Sequence, residues 1–203
     1  MSNRWNRFIY RLWAPVYDAT VNHFFLPGRQ RALEVLAIQP GERLLVVGVG
    51  TGADLPLIPG GVQVLGIDLS PDMLARAQRK LPACRAAVQL ALADAETPLV
   101  AESAFDAVLL NLILSVVPDG ATCLEAALHG LKSGGRLVVF DKFQPDDESI
   151  SPIRRLINVF SSLLGTDITR RFGPMRQGLP CRVTIEEPSL LGGTYRIYLL
   201  QKQ

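Results

Sequence analysis

The stretch "LLVVGVGTGADLP", residues 44–56, decides the fold. Four consecutive apolar residues run straight into Gly48, Gly50 and Gly52. An unbroken apolar run of that length reads as a strand buried on both faces. Glycines directly after it let the backbone turn sharply and come close to a ligand. Asp68, twenty residues beyond Gly48, closes a second apolar run over 62–69. A carboxylate there is placed to accept from both hydroxyls of a ribose. Strand, loop and acid together read as the floor of a nucleotide site. The loop leaves the nucleotide open, because Gly48-x-Gly50-x-x-Ala53 also satisfies a looser dinucleotide fingerprint.

On either side of this stretch the chain alternates between β-rich runs and helical patterns, which is how a parallel sheet with crossover helices reads. Five runs are expected to be strands: 43–49, 62–69, 88–94, 105–114 and 135–143. Ser70-Pro71-Asp72 supplies an N-cap, a proline at the first helical position and an acid in the first turn. Met73, Leu74, Ala77 and Leu81 then form the helical stripe. Asp119 caps a helix that ends before Ser133-Gly134-Gly135, and Ser151-Pro152 opens another that Gly165 closes. The tail, 181–202, reads as two strands joined around Gly192-Gly193. The expected architecture is α/β: a Rossmann-like, doubly wound, mostly parallel sheet of about seven strands with a C-terminal antiparallel hairpin. The 203 residues make one domain, 1–203, in which 1–40 form an N-terminal helical cover and 41–203 the core and hairpin.

Bulk composition narrows the partners. A net charge of +2 with 20% charged residues lacks the dense basic surface that would make nucleic acid the default partner. The longest nearly apolar run, 105–117, is interrupted by Asp106, Asn111 and Ser115 and is shorter than the roughly 20 residues a membrane helix needs. No secretory leader is read at the N-terminus, so the expected compartment is the cytoplasm. Cys84, Cys123 and Cys181 are odd in number and widely spaced, which fits reduced thiols and no disulfide framework. With only His23 and His129 beside them, and both expected in loops or at the surface, no metal is implied.

Three observations favour an adenosine cofactor over a dinucleotide. Asp94, in "LADAETP", stands where it accepts from an adenine amino group; more than forty residues of helical character precede the glycine strand; and no Tyr-x-x-x-Lys pair or suitably placed histidine serves hydride transfer. With "VVGVGTG", "GIDLSPDML", "LADAETP", "FDAVLLNLILSVVPD" and "GGRLVVFDKF" in this order, the chain resembles the class I S-adenosylmethionine-dependent methyltransferases over roughly residues 10–203. The resemblance implies S-adenosyl-L-methionine as cofactor and S-adenosyl-L-homocysteine as product. It implies that Gly48, Gly50, Thr51 and Gly52 hold the methionine and ribose, that Asp68 with Leu69 binds the ribose, and that Met73 lies near the adenine. Asp94 with Ala95 takes the adenine amino group, and Asn111 with Leu112 lines the methyl-donor pocket. One position departs from the family: an acid is usual two residues before the first glycine, where it helps to bind the ammonium, and here it is Val46. Losing that charge-assisted hydrogen bond costs about 1.5–3 kcal/mol, roughly tenfold to a hundredfold in affinity, unless backbone carbonyls or Asp54 compensate.

"WAPVYDATVNHFFLPGRQRAL" before the loop and "LILSVVPDG" after it resemble the bacterial phosphatidylethanolamine N-methyltransferases and related quinone methyltransferases. On a helical wheel Trp5, Phe8, Ile9, Leu12 and Trp13 share one face and Arg4, Arg7 and Arg11 another. Such a helix over 4–13 lies in an anionic membrane interface or packs its aromatic face on the protein as a cover. Arg154, Arg155, Arg170, Arg171 and Arg176 are candidates for phosphate contacts. Tyr17 and Asp18 are the candidate contacts to the acceptor amine, Tyr17 through its hydroxyl or its ring face. Asp141 and Lys142 are expected past the end of the fifth strand, as solvated loop charges. The acceptor is a lipid amine at a peripheral membrane site, or a quinone or soluble small molecule. The remaining alternative is a non-catalytic binding protein on the same scaffold.

Overall fold

The computed structural model describes residues 22–97, 102–144 and 169–203. The expected helix over 4–13, Tyr17, Asp18, the helix opened by Ser151-Pro152, and Arg154 and Arg155 lie outside the described residues.

Seven strands form one sheet in the order β3-β2-β1-β4-β5-β7-β6. They are β1 (Arg43–Val47), β2 (Gln63–Asp68), β3 (Ala87–Leu92), β4 (Phe105–Asn111), β5 (Leu131–Lys142), β6 (Cys181–Pro188) and β7 (Tyr195–Lys202). The first five pair in parallel, and β7 runs antiparallel to both β5 and β6. The architecture is therefore the mostly parallel α/β sheet with an antiparallel C-terminal hairpin that the alternating pattern predicts. Runs of Val and Leu make the central strands because both faces are covered. Leu44, Val108, Leu109, Leu137, Val138 and Val139 are fully or almost fully buried.

On one face lie α1 (Asn22–Leu36) and α2 (Pro71–Lys80); on the other lie α3 (Gly120–Gly130) and the short α4 (Phe172–Arg176). The cap at Ser70 forms as its sequence requires, its hydroxyl accepting from the Met73 N–H. At α3 the Asp119 carboxylate accepts from the N–H groups of Ala121 and Thr122. Gly28, in the middle of α1, lies against β5: a Cβ there would stand 2.2 Å from Phe140 Cζ. Absence of that atom lets Phe25 reach Phe140 and Tyr195, with ring centroids 6.3 and 5.0 Å away. No helix among the described residues is long and apolar enough to cross a membrane.

Two expectations are corrected. β5 starts at Leu131, directly after α3, and not at 135, because Leu131 already pairs with Phe105. The next pair is Ala107 with Arg136, so residues 132–135 form a bulge, in which Gly134 takes φ +73°. Asp141 and Lys142 belong to β5 and are not loop charges. Asp141 is fully buried, accepting from the Ser115 and Lys142 N–H groups.

Candidate functional site

Strand order reverses between β1 and β4, and ligands of open α/β sheets bind outside the carboxyl ends of the strands at such a point. A cleft opens there, bordered by the glycine loop after β1, the ends of β2 and β4, the segment after β3, and Arg29 of α1. The loop follows its glycines. Gly48 and Gly50 adopt φ +68° and +54°, in the left-handed region that side chains disfavour, and a Cβ on Gly48 would meet Ile113 Cδ1 at 2.6 Å.

Asp68 ends β2 beside this loop. Its Oδ2 accepts from the Gly50 N–H at 2.8 Å and its Oδ1 from the Ser70 N–H at 2.9 Å. Each carboxylate oxygen has a second lone pair, so both can still accept from a ligand hydroxyl. Burial pushes the Asp68 carboxyl above its ordinary pKa, against the opposing pull of these backbone donors. Asp94 lines the cleft past the end of β3, half-buried, with its Oδ1 accepting from the Glu96 N–H. Met73, buried at the start of α2, and Leu69 and Ala95 border the same end of the cleft. Thr51 is buried beside the loop, and its hydroxyl lies 3.4 Å from Lys80 Nζ.

At the other end stand Asn111, Leu112 and Ile113. Leu112 sits at φ +59°, a conformation that costs a bulky residue about 1 kcal/mol or more. It is held there by a 2.7 Å bond from its N–H to the Phe140 carbonyl. The following loop is fixed from two further sides. Arg170 donates to the carbonyls of Leu114, Val117 and Pro118, so this arginine clamps the loop. Glu96 accepts from the Asp119 N–H.

The cleft thus brings together Gly48, Gly50, Thr51, Asp68, Leu69, Met73, Asp94, Ala95, Asn111 and Leu112. Gly52 does not line it. Its φ is +75°, and a Cβ would press to 3.1 Å from Ala77 Cα, so it serves the packing of the loop on α2. His23 and His129 are exposed on α1 and α3.

Sequence reasoning missed Arg29. It is 7% exposed, lines the cleft and forms a 2.7 Å ion pair through Nη1 with Asp54 Oδ2. Asp54 is itself 2% exposed, and its Oδ1 accepts from Asn111 Nδ2 at 2.8 Å. Gly28 before it marks the close packing of α1 on Phe140, and no signal in the sequence points to Arg29 itself. Val46 is buried and adds no charge.

Residues 45–139 match the family model of the methyltransferase domain. The chain is 33% identical over 159 residues to the phosphatidylethanolamine N-methyltransferase of Cereibacter sphaeroides, covering 77% of each protein. The chain belongs to the S-adenosylmethionine-dependent methyltransferases. This methyltransferase is also 33% identical over 118 residues to the demethylmenaquinone methyltransferase of Beutenbergia cavernae, where 58% of the chain matches 48% of that protein. Its fold is shared with the geranyl diphosphate C-methyltransferase of Streptomyces coelicolor A3(2), solved with S-adenosyl-L-homocysteine. The TM-score is 0.73 at 16% identity, over 87% of this chain and 77% of that one. The methyltransferase uses S-adenosyl-L-methionine as its cofactor.

The cleft fits that molecule. It has carboxylates toward β2 and β3, glycines at φ +68° and +54° along its floor, and toward β4 a buried Asn111 Oδ1 with no partner among the described residues.

Proposed function

We propose that this methyltransferase methylates the amine of phosphatidylethanolamine or its partly methylated forms, as a peripheral protein on the inner face of the membrane. The observation that carries the reading is the phosphatidylethanolamine N-methyltransferase relative, matched over 77% of both chains, whereas the quinone-methylating relative is matched over about half its length. The stripe of Trp5, Phe8, Leu12 and Trp13 opposite Arg4, Arg7 and Arg11 supports contact with an anionic interface. All of 1–203 acts as one methyltransferase domain, with 1–40 covering the core.

Bound in the cleft, S-adenosyl-L-methionine supplies an activated sulfonium methyl, and no covalent enzyme intermediate is required. Asp68, with Leu69 beside it, accepts from the ribose hydroxyls, and Asp94 with Ala95 takes the adenine amino group. Met73 packs near the adenine, and the backbone of Gly48, Gly50 and Thr51 lies along the ribose and methionine. Gly52 supports that loop from behind. Leu112, with Ile113 and Val116 next to it, shields the reacting end from water. Tyr17 and Asp18 contact the acceptor amine, which must be unprotonated to act as a nucleophile held in line with the methyl group.

The test is mass spectrometry of lipids after incubating the protein with S-adenosyl-L-methionine and liposomes of phosphatidylethanolamine and an anionic lipid. Gains of one, two or three methyl groups on the headgroup are the expected result. An unmodified headgroup, with S-adenosyl-L-homocysteine binding intact, would move the reading to a quinone or soluble acceptor, which the demethylmenaquinone relative favours.

A further inference from the structure

The donor's amino-acid end is a zwitterion, and a buried site for it needs an oxygen acceptor for the ammonium and a cation for the carboxylate. Asp68 and Asp94 both stand toward β2 and β3, the side the proposed function gives to the adenosine. The amino-acid end therefore extends toward β4 and α1. There the cleft meets Arg29 and Asn111, which Asp54 joins from behind.

Asp54 would be the natural partner for an ammonium, yet it does not border the cleft; it stands behind Arg29 and Asn111, accepting from Arg29 Nη1 at 2.7 Å and Asn111 Nδ2 at 2.8 Å. What it does is fix the Asn111 amide. A carboxylate only accepts, so Asn111 must turn its NH2 toward Asp54 and is left with its carbonyl oxygen as the free end. That oxygen is buried and has no partner among the described residues, and neither does Arg29 Nε. An unmade hydrogen bond at a buried polar atom is costly, and here one orphan is an acceptor and the other a donor on a cation.

We propose that Asp54 is a positioning residue that locks Asn111 so that its Oδ1 receives the ammonium of S-adenosyl-L-methionine, while Arg29 takes the carboxylate. This rests on the assignment of the cleft to that cofactor. It also accounts for Val46: the acceptor is relayed from Asp54 through an amide, and no acid is needed on β1. The row of Arg29, Asp54 and Asn111 carries no net charge, and neither does the zwitterion it meets.

The test compares ligands that differ only at this end, by calorimetric titration of the full chain. S-Adenosyl-L-homocysteine has both charges, its decarboxylated analogue has only the ammonium, and 5′-methylthioadenosine has neither. In Asn111→Leu and in Asp54→Asn, whose amide cannot fix the Asn111 direction, the first two ligands are expected to weaken about tenfold to a hundredfold. Methylthioadenosine should stay within about twofold. Arg29→Gln should abolish the preference for S-adenosyl-L-homocysteine over its decarboxylated analogue. Equal weakening of all three ligands in Asn111→Leu, or unchanged affinity for S-adenosyl-L-homocysteine there, overturns the proposal. If Asp68→Ala leaves all three ligands bound as tightly as before, the placement of the adenosine fails first and takes this inference with it. That outcome is distinct because methylthioadenosine carries the adenosine without the charged amino-acid end.

Discussion

Asp68 is subject to two opposing effects: burial raises its pKa, and the N–H groups of Ser70, Gly50 and Leu69 pull it down without prevailing. A carboxyl with a raised pKa in the folded state favours the fold at acid pH, and that contribution is lost as pH rises through the folded pKa. The ionised form that accepts ribose hydroxyls is therefore held at some expense of stability. Affinity for S-adenosyl-L-homocysteine is expected to fall on acidification at a pH above the ordinary aspartate range. Asp68→Asn should flatten that profile and weaken binding about tenfold or more at neutral pH, both read by titration calorimetry across pH. At this scale much was legible: Asp68 and Asp94 follow strand-ending apolar runs, and the three glycines stand where a side chain cannot. Arg29 was not legible, since an arginine on a helix reads as solvated until its tertiary partner is known, and Asp54 sits 25 residues away. Gly52 looked like its neighbours because spacing does not say which way an α-carbon faces.

Among the elements, α1 is seated closely on β5 at Gly28. Gly28→Ala drives a methyl group into the Phe140 ring and should cost about 1–3 kcal/mol, measured by denaturant unfolding. Because the next residue is Arg29, the same change should also weaken binding of S-adenosyl-L-homocysteine. Phe140→Leu in the Gly28→Ala background should recover part of both losses. At α3, Asp119→Ala removes the acceptor for two N–H groups and should cost about 1 kcal/mol. Hydrogen bonding from Thr122 chiefly lowers the Asp119 pKa. Its contribution is therefore present above the ordinary aspartate pKa and lost as pH falls through the folded value, so the penalty of the variant should shrink in acid. Both caps were readable because Ser70 and Asp119 act on N–H groups two or three residues away. The start of β5 was not, because its first pair, Leu131 with Phe105, is set by a partner strand, and a Gly-Gly pair reads equally as a turn or a bulge.

Across the whole molecule, the sheet is closed by its last strand: β7 pairs with both β5 and β6. A chain ended before Tyr195 exposes the apolar edge of β5, whose Val138 and Val139 are fully buried in the intact fold. It is expected to be insoluble or unable to bind S-adenosyl-L-homocysteine, as solubility and titration would show. The alternation of strands and helices made the parallel part predictable, and the two glycines at 192–193 marked the reversal that sets β7 antiparallel. The packing of α1 over β4, β5 and β7 has a consequence for synthesis. Phe25, among the first described residues to leave the ribosome, finds its ring partner Tyr195 only when the strand at the other end of the chain has emerged. A chain ended before β7 is therefore expected to seat the helix that carries Arg29 less firmly beside the cleft.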